Sequence, residues 1–265
     1  MGYVSRLTNL LSWRSGLGLL GLAAALVAAW STGYAVEPGE EVDTALIVAV
    51  DVSNSVDNER YRLQMEGIAQ ALEDPAVIQA IVGGSKGGIL FSMVTWADRP
   101  NVALPWTRIA SEADARAAAL KVRTMPRQSG EFTCMSRMMR FVSDKIAPQI
   151  PAKAAKVVLD ISGDGRDNCN EKEPVEAVRD ELVSYGVTVN GLPILEGVDE
   201  ETLQTGPVQS YLPSEQTDES LEAWYRENVK GGPGSFVLPA NGYSDFGRAI
   251  RQKFVLEVSM LAGQH

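Results

Sequence analysis

Residues 44–55, TALIVAVDVSNS, constrain this chain more than any other stretch. Ala45, Leu46, Ile47, Val48, Ala49 and Val50 form a short continuous apolar run, the pattern of a strand buried on both faces. The run ends abruptly in Asp51-Val52-Ser53-Asn54-Ser55, and a helical pattern follows over residues 58–73, with Tyr61, Met65, Ile68 and Leu72 at helical spacing. One carboxylate and two hydroxyls thus alternate just past the C-terminal end of a buried strand. That is where open α/β sheets bind ligands. All three groups are hard oxygen donors, which suit Mg²⁺ and similar cations.

The rest of the chain repeats the theme of strand then helix. Strands are expected at about 88–96, 101–106, 157–162, 187–195 and 235–239. Helices are expected at about 76–82, 111–122, 134–146, 174–185, 218–229 and 243–257. Ala97-Asp98-Arg99-Pro100 suits a hairpin turn, which makes residues 101–106 an antiparallel edge strand. Alternating strands and helices specify an α/β fold with a mostly parallel sheet. Residues 196–217 are a long polar stretch leaving the C-terminal end of the strand 187–195, and insertions on that edge tend to be functional.

Composition narrows the function. The 265 residues allow one large α/β domain or two small ones, and 45% hydrophobic residues suffice for a core. A net charge of −10 disfavours a nucleic-acid backbone as partner. The first 36 residues carry no Asp or Glu; Arg6 and Arg14 precede an apolar stretch over residues 17–30, and small residues follow. This reads as a signal peptide over residues 1–35, with an uncleaved N-terminal anchor as the alternative, and a polar linker over 36–43. Both readings place the remainder of the chain outside the cytoplasm. The single histidine is His265, so catalysis by a positioned imidazole is not expected. The two cysteines, Cys134 and Cys169, are too few for a zinc site, and in an oxidising compartment such a pair favours a disulfide.

Asp51-Val52-Ser53-Asn54-Ser55 resembles the metal-ion-dependent adhesion site of von Willebrand factor A domains. The resemblance implies a Thr from a second loop and an Asp from a third. Thr133 follows Gly130-Glu131-Phe132 at the start of a helix, and Asp164 lies in Ser162-Gly163-Asp164-Gly165 after an apolar strand. Pro105-Trp106-Thr107, Asn190-Gly191-Leu192-Pro193-Ile194 and Gly231-Gly232-Pro233-Gly234 are further similar to a bacterial family of uncharacterised secreted proteins with such a domain. The resemblance covers residues 44–258 and leaves a tail at 259–265. Two departures stand out: Glu131-Phe132 replace the glycine usual before the Thr, and residues 196–217 are long for the family.

The resemblance implies a single von Willebrand factor A-like (Rossmann-like) three-layer α/β domain, its sheet mostly parallel with one antiparallel edge strand. Asp51, Ser53, Ser55, Thr133 and Asp164 would hold Mg²⁺, or Mn²⁺. Two carboxylates and three neutral hydroxyls leave a coordination position for an outside ligand. The implied function is non-catalytic binding of a protein through an exposed Asp or Glu of the partner, with membrane contact only through an uncleaved N-terminal segment. The implied location is periplasmic or secreted, or inner-membrane anchored and facing the periplasm. The Cys134–Cys169 pair would tie the Thr133 loop to the loop after Asp164.

Rival readings exist at each level. Asp51 could be the nucleophile of a Mg²⁺-dependent aspartyl phosphohydrolase, although such enzymes resemble D-x-D and this chain has Ser53 at the second position. A metal-free scaffold is the third reading, since Asp, Ser and Asn are ordinary turn residues. Asp160, inside a strand, reads as a buried hydrogen-bonded residue. Glu131 reads as an exposed loop acid, and Arg166, Asp167 and Asn168 as a loop with a surface ion pair. Trp96, Trp106 and Trp224 read as packing residues.

Overall fold

The structure is a computed structural model that describes residues 40–169, 172–195 and 218–259, the side chains of 218–220 excepted. The expectations for residues 1–39, for the stretch 196–217 and for residues 260–265 lie outside the described residues. β1 (Glu41–Asp51) is followed by α1 (Asn58–Glu73), α2 (Pro75–Val82), β2 (Ile89–Trp96), β3 (Asn101–Ile109) and α3 (Glu112–Arg123). Then come α4 (Met135–Phe141), β4 (Lys153–Gly163), α5 (Val175–Ser184), β5 (Val187–Leu195), α6 (Asp218–Trp224), β6 (Ala240–Asn241) and α7 (Phe246–Ser259).

The sheet order is β3-β2-β1-β4-β5-β6, with β2 and β3 antiparallel and every other pair parallel. β1 therefore lies between β2 and β4, and ten of its eleven residues are buried. One face packs Leu46, Val48 and Val50 with α1, α3 and α7 residues such as Ile68, Val122 and Phe254. The other packs Ile47 and Ala49 with Met135, Met138, Leu182 and Tyr225 from α4, α5 and the turns after α6. Alternate residues of one strand serve two cores, so the continuous apolar run is physically required. Trp96 is fully buried, while Trp106 and Trp224 are partly buried against the same second core.

Local chemistry sets the helix starts. Asp57 caps α1 by accepting from the Arg60 amide at 2.8 Å, and Asp74 caps α2 ahead of Pro75. Gly67 of α1 meets Gly247 of α7, where a Cβ would stand 3.0 Å from the Gly247 Cα. Only glycine permits that crossing.

Several boundaries differ from the sequence reading, three of them for identifiable reasons. β1 begins at Glu41, because Asp43 is buried yet satisfied by Ser85 Oγ and the Lys86 and Gly88 amides, so a polar residue enters the strand without penalty. Residues 235–239 make only an isolated bridge, Gly191 with Val237, and the paired strand is the two-residue β6. α4 and α6 each run on into five-residue wide turns, Val142–Ile146 and Tyr225–Val229, which the apolar periodicity does not distinguish from α-helix.

Candidate metal centre

β1 delivers Asp51 at its last position, fully buried, with the register placing it beside Trp96 of β2. The chain turns at once, and the Ser53 amide donates to Asp51 Oδ1 at 2.8 Å. That turn brings Ser53 back above the strand end and leaves Ser55 exposed. The Gln64 side-chain amide of α1 donates to the Asp51 carbonyl at 3.2 Å and fixes the strand end against the helix.

The five expected donors converge. Thr133 Oγ1 lies 3.4 Å from Ser53 Oγ, Ser53 Oγ 3.2 Å from Ser55 Oγ, and Ser55 Oγ donates to Asp164 Oδ1 at 2.8 Å. A Cβ on Gly163 would stand 3.0 Å from Asp51 Oδ2, so the end of β4 lies against the Asp51 carboxylate. Asp51 Oδ2 is buried and has no hydrogen-bond partner. Burial, and next the nearby Asp164 carboxylate, push the Asp51 carboxyl up to about 7. A buried oxygen with no donor, on a residue bonded to the Ser53 turn and close to the Asp164 carboxylate, fits a divalent cation, which would neutralise both acids. Among the described residues no three His, Cys, Asp or Glu side chains gather into a metal-binding group, so a cation here would rely on neutral oxygens beside the two carboxylates.

Several supporting residues carry no local signal in the sequence. Tyr243 donates its hydroxyl to Asp164 Oδ2 at 2.9 Å, from the turn before α7. Arg60 lies over the Tyr243 ring at 5.2 Å and also donates to the Ser55 carbonyl. Tyr225, fully buried, places its hydroxyl 3.4 Å from the Gly163 carbonyl. Burial and the surrounding carboxylates hold both phenols well above their ordinary range, so they stay protonated donors.

The loop after Asp164 has a role that its sequence does not announce. Asp167 and Asn168 serve as backbone caps: Asp167 Oδ1 accepts from the Ser136 amide at 3.0 Å, and Asn168 Oδ1 from the Thr133 amide at 2.8 Å. The Asn168 amide in turn donates to the Thr133 carbonyl at 3.1 Å. α4 has no side-chain cap from its own N-cap residue, so these acceptors from another loop supply what its first turn lacks. Glu131 is an exposed loop residue whose amide donates to Asp98. Asp160 is buried, and its partner is Lys253 Nζ at 3.1 Å, 93 residues on and beyond any local pattern.

Cys134 and Cys169 form a disulfide with Cα atoms 5.1 Å apart. It joins the residue after Thr133 to the loop after Asp164. The separation of 35 residues corresponds to about 4 kcal/mol on the chain-entropy account. Free-thiol titration of unfolded, unreduced protein should therefore find no thiol, and reduction should lower the urea midpoint. Two reactive thiols before reduction would contradict the pairing.

No match was found among curated proteins. Solved structures give the fold. Proximal thread matrix protein 1 from the mussel byssus aligns with a TM-score of 0.55 and 16% identity, covering 83% of this chain and 49% of that one. A second structure of that protein, with a zinc-occupied MIDAS motif, aligns equally well at 17% identity, with the same coverage. BatB from Bacteroides thetaiotaomicron aligns with a TM-score of 0.51 and 17% identity, covering 85% of this chain and all of that one. This chain spans about half the length of the mussel protein. The strand order, the antiparallel edge and these alignments identify a von Willebrand factor A fold. The family described as "Protein of unknown function (DUF1194)" matches residues 41–262, nearly the whole described fold, and the chain belongs to it.

Proposed function

We propose that this protein is an extracytoplasmic, non-catalytic protein-binding module. In this reading it holds Mg²⁺ through Asp51, Ser53, Ser55, Thr133 and Asp164 and binds an acidic side chain of a protein partner there. The observation that carries the reading is Asp51 Oδ2, buried without a partner at the end of β1, where the turn after it joins Ser53, Ser55, Thr133 and Asp164 in one chain of contacts. The ion would supply a positive Lewis-acidic centre for a partner carboxylate. The protein's own residues hold that position: Tyr243 orients Asp164, the Ser53 amide orients Asp51, and Asn168 fixes the Thr133 backbone. The disulfide supports the location, and no helix among the described residues is long and apolar enough to cross a membrane.

The phosphohydrolase reading fares worse. A nucleophilic Asp51 must be reached by a phosphoryl group, but its carboxylate is fully buried. Calorimetry of EDTA-stripped protein with Mg²⁺, Mn²⁺ and Zn²⁺ tests the metal. Absence of heat and of thermal shift at millimolar metal would leave a metal-free scaffold.

The same titration has a pH signature. The Asp51 carboxyl rises from an ordinary value of 3.8 to about 7 in the metal-free fold. Its protonated form therefore stabilises the metal-free fold at low pH, and that contribution is lost as pH rises through about 7. A cation must displace this proton, so Mg²⁺ affinity should be roughly tenfold weaker at pH 6 than at pH 8. Equal thermal shifts at the two pH values would exclude a proton on Asp51 as the competitor.

A further inference from the structure

A groove of about 490 Å³ opens directly beside the metal centre. Its buried floor includes Val52, from within the D-x-S-x-S turn itself, with Thr95 and Ala97, and its walls carry Arg99, Phe132 and Arg137. The volume lies in the range of ligand-binding clefts, roughly 300–1,000 Å³. A second cavity of about 270 Å³ continues it past Phe132 and Arg137 to the disulfide.

The walls are built rather than incidental. Phe132 is 48% exposed, a large aromatic surface for a residue adjacent to a candidate ligand. Its loop is clamped: Asp98 accepts from the Glu131 amide at 3.0 Å and from the Phe132 amide at 2.7 Å. A Cβ at Gly130 would stand 2.6 Å from the Ala97 Cβ, so the loop backbone lies against the hairpin. Arg137 donates to the Asp98 carbonyl and closes the same clamp from α4. The chain as a whole carries −10, yet this groove presents two guanidinium groups and one carboxylate, which the two amides already engage. An exposed aromatic ring on a clamped loop, sharing one groove with two arginines, is the composition of an interface centre.

We propose that this groove binds the segment of the protein partner next to its metal-bound acid, and that the segment carries an apolar residue for Phe132 and a second acidic residue for Arg99 and Arg137. The proposal rests on the metal-binding reading above and extends it to the partner's sequence. The departure at Glu131-Phe132 then has a use: the aromatic ring at the Thr133 loop widens recognition beyond one carboxylate. Electrostatic attraction at the arginines sets the approach, and burial of the ring supplies most of the affinity.

The test uses a random heptapeptide phage library selected on the full, disulfide-bonded chain in Mg²⁺. Peptides with two acidic residues and an apolar residue should be enriched, and EDTA should abolish the enrichment. Phe132→Ser should weaken the selected peptide roughly tenfold and remove the apolar preference. Arg99→Gln, at an exposed side chain, should weaken it roughly threefold and remove the preference for a second acid. Arg137→Gln should act alike, with Arg99→Gln as the variant that leaves the clamp intact. Mg²⁺-dependent enrichment unchanged by Phe132→Ser and Arg99→Gln would overturn the groove and leave the metal centre standing. Enrichment indifferent to EDTA, or none at all, would overturn both.

Discussion

Replacing Asp51 by alanine or asparagine is expected to eliminate divalent-cation binding, a loss of more than about a hundredfold in affinity. Asp51 supplies one of the two negative charges in the centre, and its free oxygen is the group there that lacks any protein partner. Asparagine keeps the shape and can still accept from the Ser53 amide, so the fold should survive. It also removes the carboxylate whose ionisation burial opposes. The metal-free Asp51→Asn protein should therefore be at least as stable as the parent at pH 8, which separates a lost ligand from a lost fold. Thr133→Ala provides the contrast. Water can replace one neutral donor, so metal affinity should fall only several-fold, while capture of an acidic partner should fall further. Calorimetry and urea denaturation on the same samples decide the matter; Asp51→Asn protein that still takes up Mg²⁺ with parental affinity would remove Asp51 from the centre.

The second large effect lies away from the metal. Lys253 of α7 is fully buried, with its Nζ 3.1 Å from Asp160 Oδ1 and 3.2 Å from Glu257 Oε1, and 4.5 Å from the Phe236 ring centroid. Asn190 donates to Glu257 Oε1 at 2.8 Å. Burial, and next the neighbouring Glu257, raise the Asp160 carboxyl to about 8, with the ammonium pulling the other way. Lys253→Met leaves two buried acids with no cation between them, which should cost about 3–5 kcal/mol at pH 8. The raised value sets the sign with pH. Protonated Asp160 is the tolerated form, so the deficit should shrink as pH falls below about 8. Changing Asp160→Asn and Glu257→Gln together with Lys253→Met should recover most of the loss, because removing a whole buried ionic group is often nearly neutral. A variant Lys253→Met as stable as the parent at every pH would show that the ammonium does not hold α7 to the sheet.

The legible part of this molecule was what is written locally. A buried strand cannot be built without a continuous apolar run, so β1 and the turn of donors after it stand out in sequence. Thr133 and Asp164 were found only through their resemblance to a known pattern, and the fold then brings them into one chain of contacts with Ser53 and Ser55. Tyr243, Asn168 and Asp98 act across 79, 35 and 34 residues respectively, and nothing nearby in sequence marks a tyrosine as a carboxylate's partner. Asp43 misleads for the converse reason. A charged residue reads as linker, whereas three donors from residues 85, 86 and 88 make it a strand residue. Likewise Asp160 needed a lysine from the far end of the domain before its burial made sense.

The strand order carries a consequence for how the protein assembles in time. β1 needs β4 along one whole edge, and the two pair Glu41 with Lys153 and Val50 with Ser162. More than a hundred residues of intervening chain must be gathered before that edge closes, so the barrier to folding is dominated by closing long loops rather than by local structure. Asp51 and Asp164 meet only after that closure. A cation gripping both would therefore act after the barrier is crossed, slowing unfolding while leaving the folding rate nearly untouched.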